Sequence, residues 1–409
     1  MSEQTLLYKE TTACLRKSSS LLKKDQKKEV PQHSIVATHG PTLVAAVKED
    51  PSILDKIGIY RVNCSHLGKE GDKEALAVYL REIYPYCQIL IDLQWPKPRI
   101  NELVPELQDK IVVTLGKKFQ ISYASELGED HLCTEDYLKV CFPEIVQVME
   151  IGGFAVFDDG KMTATVREIH ETYKVIECTE IGGGKESYTL KGKKGICVRN
   201  KPLGIDCITE HDHKSLHFAR DIVGFDFIDN IMVSYFLNPK HIEDFVHIVR
   251  DEYGYTWNLG AKFETPFAVN NVDTILATGN ISLAMFGRGD LRVEMDLRAI
   301  QNMHNIQVYF FEACKKYNVE SICATGFLES MMTPEGCLQP SEIGDMQISM
   351  RTGADHLMLS AESSYGPQAR KCIETEFEYQ KDTYQKLIAG EVFPREKPIQ
   401  TLSELLYLS

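Results

Sequence analysis

The stretch NIMVSYFLNPKHIEDFVHIVRDEYGYTWNLGAKFE, residues 230–264, decides the fold. It opens and closes with short apolar runs of strand length, NIMVSYF (230–236) and WNLGAKFE (257–264). Between them, in PKHIEDFVHIVRDEYG (239–254), apolar residues return every three or four positions, which is the period of an amphipathic helix. A strand, a helix and a second strand in this order predict a βαβ unit with parallel strands.

The same alternation extends over most of the chain. Further strand-like runs lie at 34–40, 57–63, 88–93, 281–287, 320–326 and 355–362, and further helical patterns at 298–318 and 340–354. Eight strands that alternate with helices predict an α/β fold, a closed (β/α)8 TIM barrel, in which polar strand ends meet at one mouth. A doubly wound open sheet is the alternative.

One interval interrupts the alternation and predicts a separate domain. Residues 101–199 carry β-like segments, KIVVTLGKKFQISYA, GGFAVFDDGKMTATVREI and YKVIECTEI, separated by turn signals. We expect a small inserted β-barrel domain that covers the barrel mouth as a lid. The predicted division is an N-terminal helical extension (1–32), the TIM-barrel catalytic domain (33–100 and 200–390), the inserted β lid domain (101–199) and a C-terminal tail (391–409).

Composition excludes several classes of protein. The formal net charge is −14, and no extended basic segment is present to bind a phosphate backbone, so nucleic acid is not expected as a partner. No run of 18 apolar residues occurs, so no membrane partner is expected. The 12 cysteines are scattered singly without metal-ligand spacing, a pattern typical of reduced thiols in a cytoplasmic protein.

Nearly every predicted strand ends in a chemically capable side chain. Lys262 and Glu264 are two positions apart in GAKFETP, so they share one face of their strand, opposite Ala261 and Phe263. If that face points into the barrel mouth, unpaired buried charges would be costly, and a partner or a metal ion is implied.

Seven segments, in unbroken order between about residues 33 and 375, together resemble pyruvate kinase. They are SIVATHGPT, YRVNCSHLG, LIDLQWPKPRI, GAKFET, MFGRGDLRVEM, SICATGFLESM and GADHLMLSAESSYG. The inserted β-rich interval also falls where that family has its lid. On these motifs the chain is identified as a divergent member of the pyruvate kinase superfamily that lacks the family's C-terminal domain.

The resemblance implies a phosphotransferase site. Glu264 and Asp290 would bind Mg2+ (or Mn2+), an ion that favours oxygen ligands and leaves positions open for substrate and phosphate. Lys262, Arg61 and Thr325 would be catalytic, with ATP or ADP as co-substrate. The positions implied for the carboxylate substrate are Ser234, Gly289, Asp290, Thr325 and Arg292, and those implied for the nucleotide are Thr38, Pro41, Asn63, His66, Arg99 and Lys194.

Departures from the family pattern lead to further expectations. Lys97 replaces a glutamate that accompanies potassium dependence, so a potassium requirement is not expected. Gly287 replaces alanine and Arg292 replaces glycine, which would suit a larger, more anionic acid; Trp95 and Tyr365 replace a glycine and a lysine. One long helix and a short tail follow the barrel, so regulation by the family's sugar-phosphate effector is not expected.

Three functions follow, in order of preference. The first is an ATP-dependent kinase of a hydroxy-acid-bearing small molecule in specialised metabolism. The second is a minimal pyruvate kinase that makes ATP and pyruvate from phosphoenolpyruvate and ADP. The third is a non-catalytic binding protein on the same fold, against which the retained Lys262, Glu264, Asp290, Arg61 and Thr325 argue. Self-association, where it occurs, is expected through the barrel domain.

Overall fold

The computed structural model describes residues 2–18, 34–68, 70–94, 97–124, 131–206, 208–388 and 402–406. Trp95 and the lysine cluster at 23–28 lie outside these residues. The chain begins with helix α1 (Glu3–Ser18), which packs on the outside of the barrel against the helices of its first two βα units. Leu15 is buried there, whereas Leu6 is exposed.

The first three barrel strands are parallel neighbours. They are β1 (Ser34–Thr38), β2 (Ile57–Asn63) and β3 (Gln88–Asp92). Each lies inside a segment that its apolar pattern predicts, and the buried residues run almost without interruption, as expected for strands covered on both faces.

The lid follows β3 and contains eight strands in its described residues. They are β4 (Ile111–Thr114), β5 (Lys118–Tyr123), β6 (Tyr137–Val140), β7 (Phe154–Phe157), β8 (Met162–Ile169), β9 (Lys174–Ile181), β10 (Ser187–Leu190) and β11 (Ile196–Val198). Six of them form one sheet in the order β11-β7-β8-β9-β5-β6, and β4 pairs with β10. The chain enters and leaves the lid side by side, because Arg99 bridges Gly195 in antiparallel fashion and Ile100 N donates to Lys194 O at 2.9 Å.

Five more strands complete the barrel. They are β12 (Asn230–Val233), β13 (Asn258–Phe263), β14 (Leu283–Gly287), β15 (Glu320–Ala324) and β16 (His356–Leu359). β3 pairs with β12, and β16 returns to β1, so the eight parallel strands close into a barrel. The predicted (β/α)8 fold is confirmed, and the open-sheet alternative is wrong. Inside the barrel, side chains from successive strands form one apolar cluster: Val36, Ile59, Leu90, Met232, Leu283, Met285, Ile322, Ala324 and Met358.

Helices surround the barrel and begin at recognisable signals. Asn238 caps one helix by accepting from His241 N, and Gly353, at φ 118°, ends another. The helices after α1 are α2 (Pro41–Glu49), α3 (Glu70–Ile83), α4 (Pro143–Gln147, in the lid), α5 (Glu210–His217), α6 (Pro239–His247), α7 (Pro266–Asn270), α8 (Val272–Ala277), α9 (Arg288–Glu294), α10 (Leu297–Ile300), α11 (Met303–Lys316), α12 (Pro340–Thr352), α13 (Ala361–Ser364), α14 (Ala369–Ile388) and α15 (Leu402–Leu406). None of the helices in the described ranges has the length and apolarity needed to span a membrane.

Candidate active site

A cavity of about 260 Å³ opens at the carboxyl ends of the barrel strands, beneath the lid. It is lined mainly by polar and charged side chains, as a site for a charged ligand requires. The predicted site residues in its wall are Arg61, Asn63, His66, Arg99, Ser234, Lys262, Glu264, Asp290 and Thr325. Lys97 and Gly287 line it as well.

The centre of the cavity is a cluster of buried opposite charges on three strands. Lys262 Nζ lies 2.9 Å from Glu264 Oε1 and 3.3 Å from Asp92 Oδ2, and Arg61 Nε donates to Asp92 Oδ2 at 2.7 Å. Ser234 Oγ donates to Asp92 Oδ1 at 3.1 Å. Asp92 therefore pairs with both cations and fixes their position, and Lys262 lies in the cavity wall.

Glu264 carries the least satisfied charge of this cluster. Burial raises its pKa to about 7, against the opposing effect of Lys262. Its Oε1 contacts Lys262, whereas its Oε2 is buried and has no hydrogen-bond partner among the described residues. Thr265, the next residue, caps α7 by accepting from Ala268 N, so the strand ends at the point where Glu264 faces the cavity. A buried carboxylate oxygen without a donor is what a divalent cation would satisfy.

Asp290, in the first turn of α9, is the second carboxylate at the cavity. Its Oδ1 accepts two hydrogen bonds, from Lys97 Nζ at 2.7 Å and from the Tyr235 hydroxyl at 2.8 Å. Burial alone would raise the pKa of Asp290, but Lys97 and the other donors outweigh it and lower the pKa. Lys97 Nζ also contacts Asp159 Oδ1 of the lid at 2.6 Å, so one ammonium joins barrel and lid.

Thr325 shapes the neighbouring wall through an unusual backbone. Its φ of 69° lies in the left-handed region, which is uncommon for a β-branched residue. In this conformation its Oγ1 accepts from Gly289 N at 2.9 Å. A Cβ at Gly289 would lie only 3.1 Å from that oxygen, so glycine permits the close approach.

The cavity offers two carboxylates for a metal ion, which is the number of protein ligands typical of a Mg2+ site. No group of three or more His, Cys, Asp or Glu residues is arranged around a common point for a metal anywhere in the described ranges. Mg2+ commonly takes one or two carboxylates and fills its other positions with water and phosphate oxygens, so Glu264 and Asp290 fit it. Each carboxylate already has an ammonium on one of its oxygens, Lys262 on Glu264 and Lys97 on Asp290, and both cations oppose the binding of a metal ion.

Five predicted site residues lie outside the cavity wall. Thr38 is buried and accepts from Arg61 Nη1 at 2.9 Å, and Pro41 begins α2. The backbone N–H of Gly289 donates to Thr325 Oγ1, and Lys194 pairs with Asp158 of the lid at 2.9 Å. Arg292 is exposed, and its guanidinium lies near Gly160 of the lid.

Sequence reasoning missed several charged or polar groups of the site. Asp92, Asp159 and Tyr235 were given no role in the site, although all three contact site residues. Glu294 is also buried, and burial raises its pKa to about 8. It follows Asp290 by four positions on α9, and that spacing is the signal that would have placed both on one helix face.

Gly287 does not enlarge the cavity in the way expected. A Cβ at Gly287 would lie 2.6 Å from Cγ of Glu264, so the space that glycine leaves is occupied by the Glu264 side chain. The absence of a side chain at Gly287 makes room for Glu264, the proposed metal ligand. It provides no extra room for a larger acid.

Comparisons with known proteins identify the family of the chain. The model of the family "Pyruvate kinase, barrel domain" matches residues 30–373. The chain is 29% identical over 349 residues to a pyruvate kinase of Methylorubrum extorquens (83% of this chain, 66% of the relative) and 24% identical over 350 residues to one of Staphylococcus haemolyticus (83% and 55%). It therefore spans between about half and two thirds of the length of these curated relatives.

Solved structures of the same fold are also similar. A pyruvate kinase from Cryptosporidium parvum aligns with a TM-score of 0.72 at 20% identity, over 93% of this chain and 76% of the other. One from Pyrobaculum aerophilum aligns with a TM-score of 0.72 at 21% identity, over 87% of this chain and 74% of the other. At this identity the structural likeness establishes the fold alone.

Proposed function

The chain belongs to the pyruvate kinase family, and on this premise we propose that it transfers a phosphoryl group between a nucleotide and an oxygen atom next to a carboxylate. The preferred pair is phosphoenolpyruvate and ADP, which give pyruvate and ATP. The relatives named pyruvate kinase support this pair over the larger hydroxy acid that the sequence alone favours.

The observation that carries the proposal is the charge arrangement around Lys262. Its ammonium is held between Glu264 and Asp92 at 2.9 and 3.3 Å, and both carboxylates are almost fully buried. A buried cation held rigidly at a cavity can stabilise the charge on the equatorial oxygens of a phosphoryl group in transfer without reorganising. Arg61, fixed by Asp92 and Thr38, would contribute a second positive charge.

The other residues would bind and orient the substrates. Glu264 and Asp290 would hold the divalent ion, which when bound supplies neutralisation of phosphate charge. The backbone at Gly289 and Asp290 together with Thr325 would meet the substrate carboxylate, next to Ser234. Asn63, His66 and Arg99, which line the cavity, and Lys194, on the lid side, would meet the nucleotide.

The alternative of a larger hydroxy-acid acceptor has lost the two observations that favoured it. The space at Gly287 is filled by Glu264, and Arg292 is exposed outside the cavity wall. The experiment nevertheless includes 2-hydroxy acids as acceptors, because they present a pair of oxygens similar to that of the enolate of pyruvate.

The experiment is phosphorus NMR of the purified full chain with Mg2+. One arm contains phosphoenolpyruvate and ADP, and the other contains ATP with a panel of 2-hydroxy acids, each run also with Lys262→Met. We expect conversion of phosphoenolpyruvate and ADP to ATP by the wild type and none by the variant. If only the arm with hydroxy acids shows transfer, a hydroxy acid and ATP replace phosphoenolpyruvate and ADP as the substrate pair. If neither arm shows transfer, the proposal is contradicted.

A further inference from the structure

Tyr235 lines the cavity, and its hydroxyl contacts Asp290, one of the two proposed metal ligands. It follows Ser234 at the end of β12, and its φ of 52° places a bulky residue in the left-handed region, which is rare and costs conformational energy. Tyr235 is 8% exposed and belongs to an apolar cluster built mainly from lid residues, which also includes Leu203 and Ile205 just after the lid. A strained backbone and a ring fixed by the lid core together hold the hydroxyl in one place.

The hydroxyl of Tyr235 is held against one carboxylate oxygen of Asp290. The Tyr235 hydroxyl donates to Oδ1 at 2.8 Å, and Lys97 Nζ donates to the same atom at 2.7 Å. The two donors thus fix the rotation of the carboxylate and engage Oδ1. Oδ2 is then the oxygen left for a metal ion.

The two donors differ in what they do to an arriving cation. Lys97 is positively charged and repels a divalent ion, whereas Tyr235 is neutral and orients the carboxylate without repulsion. Hydrogen-bond partners of this kind commonly change metal affinity by about 10- to 100-fold when they are removed.

We propose that Tyr235 is a positioning residue that orients Asp290 for binding of the divalent cation. The inference rests on the proposed function, because it takes Glu264 and Asp290 as the metal-binding carboxylates. It goes beyond that function by assigning a role to a side chain that acts through Asp290.

The test is the affinity of the full chain for Mn2+ without nucleotide or substrate, measured by electron paramagnetic resonance of the free ion. Tyr235→Phe keeps the ring and removes the hydroxyl, and we expect Mn2+ to bind about tenfold more weakly. Tyr309→Phe is the matched control, because its hydroxyl donates to Asp273 at the same 2.8 Å, among residues that do not line the cavity. Its Mn2+ affinity should equal that of the wild type.

Thermal unfolding of each variant separates a loss of orientation from a loss of structure. If Tyr235→Phe and Tyr309→Phe weaken Mn2+ binding equally, or if neither does, the role of Tyr235 is refuted. Asp290→Asn distinguishes this failure from failure of the proposed function. If Asp290→Asn abolishes Mn2+ binding while Tyr235→Phe leaves it unchanged, only the positioning role is wrong. If Asp290→Asn leaves Mn2+ binding unchanged, the metal site itself is wrong.

Discussion

The ammonium of Lys262 lies 2.9 Å from Oε1 of Glu264, the second residue after it along the chain. The two side chains share a strand face, so the cation and the proposed metal-binding carboxylate reach the cavity as one rigid pair. If the Glu264 carboxylate turned away, it would lose this ion pair with Lys262.

Replacing Lys262 by methionine should abolish phosphoryl transfer. The loss of one rigidly held positive group in such a site commonly lowers the rate by about 100-fold or more. The fold should persist, because Arg61 still pairs with Asp92. Steady-state rates and thermal unfolding would be compared with Lys316→Met, which removes an exposed ion pair with Asp273. An unchanged rate in Lys262→Met would remove the role assigned to this lysine.

Potassium should not be required for activity. Lys97 already places a positive charge against Asp290 and Asp159, at 2.7 and 2.6 Å. The rate would be measured with potassium exchanged for tetramethylammonium at constant ionic strength, and we expect no more than a minor change. Loss of most of the activity on this exchange would show that the ammonium does not replace a monovalent ion.

Gly287→Ala should impair the site although the change adds a single methyl group. The new Cβ would meet Cγ of Glu264 at 2.6 Å, so the carboxylate must move, and overpacking of this kind costs about 1–3 kcal/mol. We expect weaker Mn2+ binding and slower transfer. Gly344→Ala is the control, because nothing lies within 4 Å of a Cβ at Gly344. Equal behaviour of the two variants would mean that Glu264 adapts without cost.

Acid should weaken the attachment of α1. His39 bonds to Tyr8 of α1 at 2.7 Å and to Tyr60 at 2.8 Å, and burial lowers its pKa from 6.5 to about 4. A histidine with a lowered pKa contributes stability that is complete above its unfolded value and is lost as pH falls from 6.5 through about 4. The thermal midpoint should therefore fall across this window.

The comparison that isolates this histidine is His39→Gln. In that variant the decrease between pH 7 and pH 4 should be smaller than in the wild type, whereas His304→Gln, at an exposed position, should behave as the wild type does. A decrease of the same size in all three proteins would assign the acid sensitivity to other groups.

The sequence predicted the barrel well because its strands are buried on both faces and read as unbroken apolar runs. β2 coincides with its predicted segment, 57–63, and the other seven lie within theirs. The short lid strands β6, β10 and β11 were missed, because a strand of only three or four residues carries too little periodicity.

Two kinds of site residue were misjudged from the sequence. The first are side chains of α9, whose direction depends on helix geometry, and the second is an aromatic residue beside a strand. Arg292 is two positions beyond Asp290 on α9, about 200° around the helix, and it faces away from the cavity. Glu294, four positions on, shares the face of Asp290 and is buried. Tyr235 was given no role because an aromatic residue beside an apolar strand normally contributes only packing.

The chain segments that enter and leave the lid are paired, and this brings Arg99 and Lys194 together although they are far apart in the sequence. Arg99 bridges Gly195, and its guanidinium donates to Lys193 O at 3.0 Å, so the entering and leaving segments are hydrogen-bonded beside Lys194. Because these hydrogen bonds join the two segments, Arg99 and Lys194 are held in a fixed relation to each other. We therefore expect an incoming nucleotide to meet the two cations together.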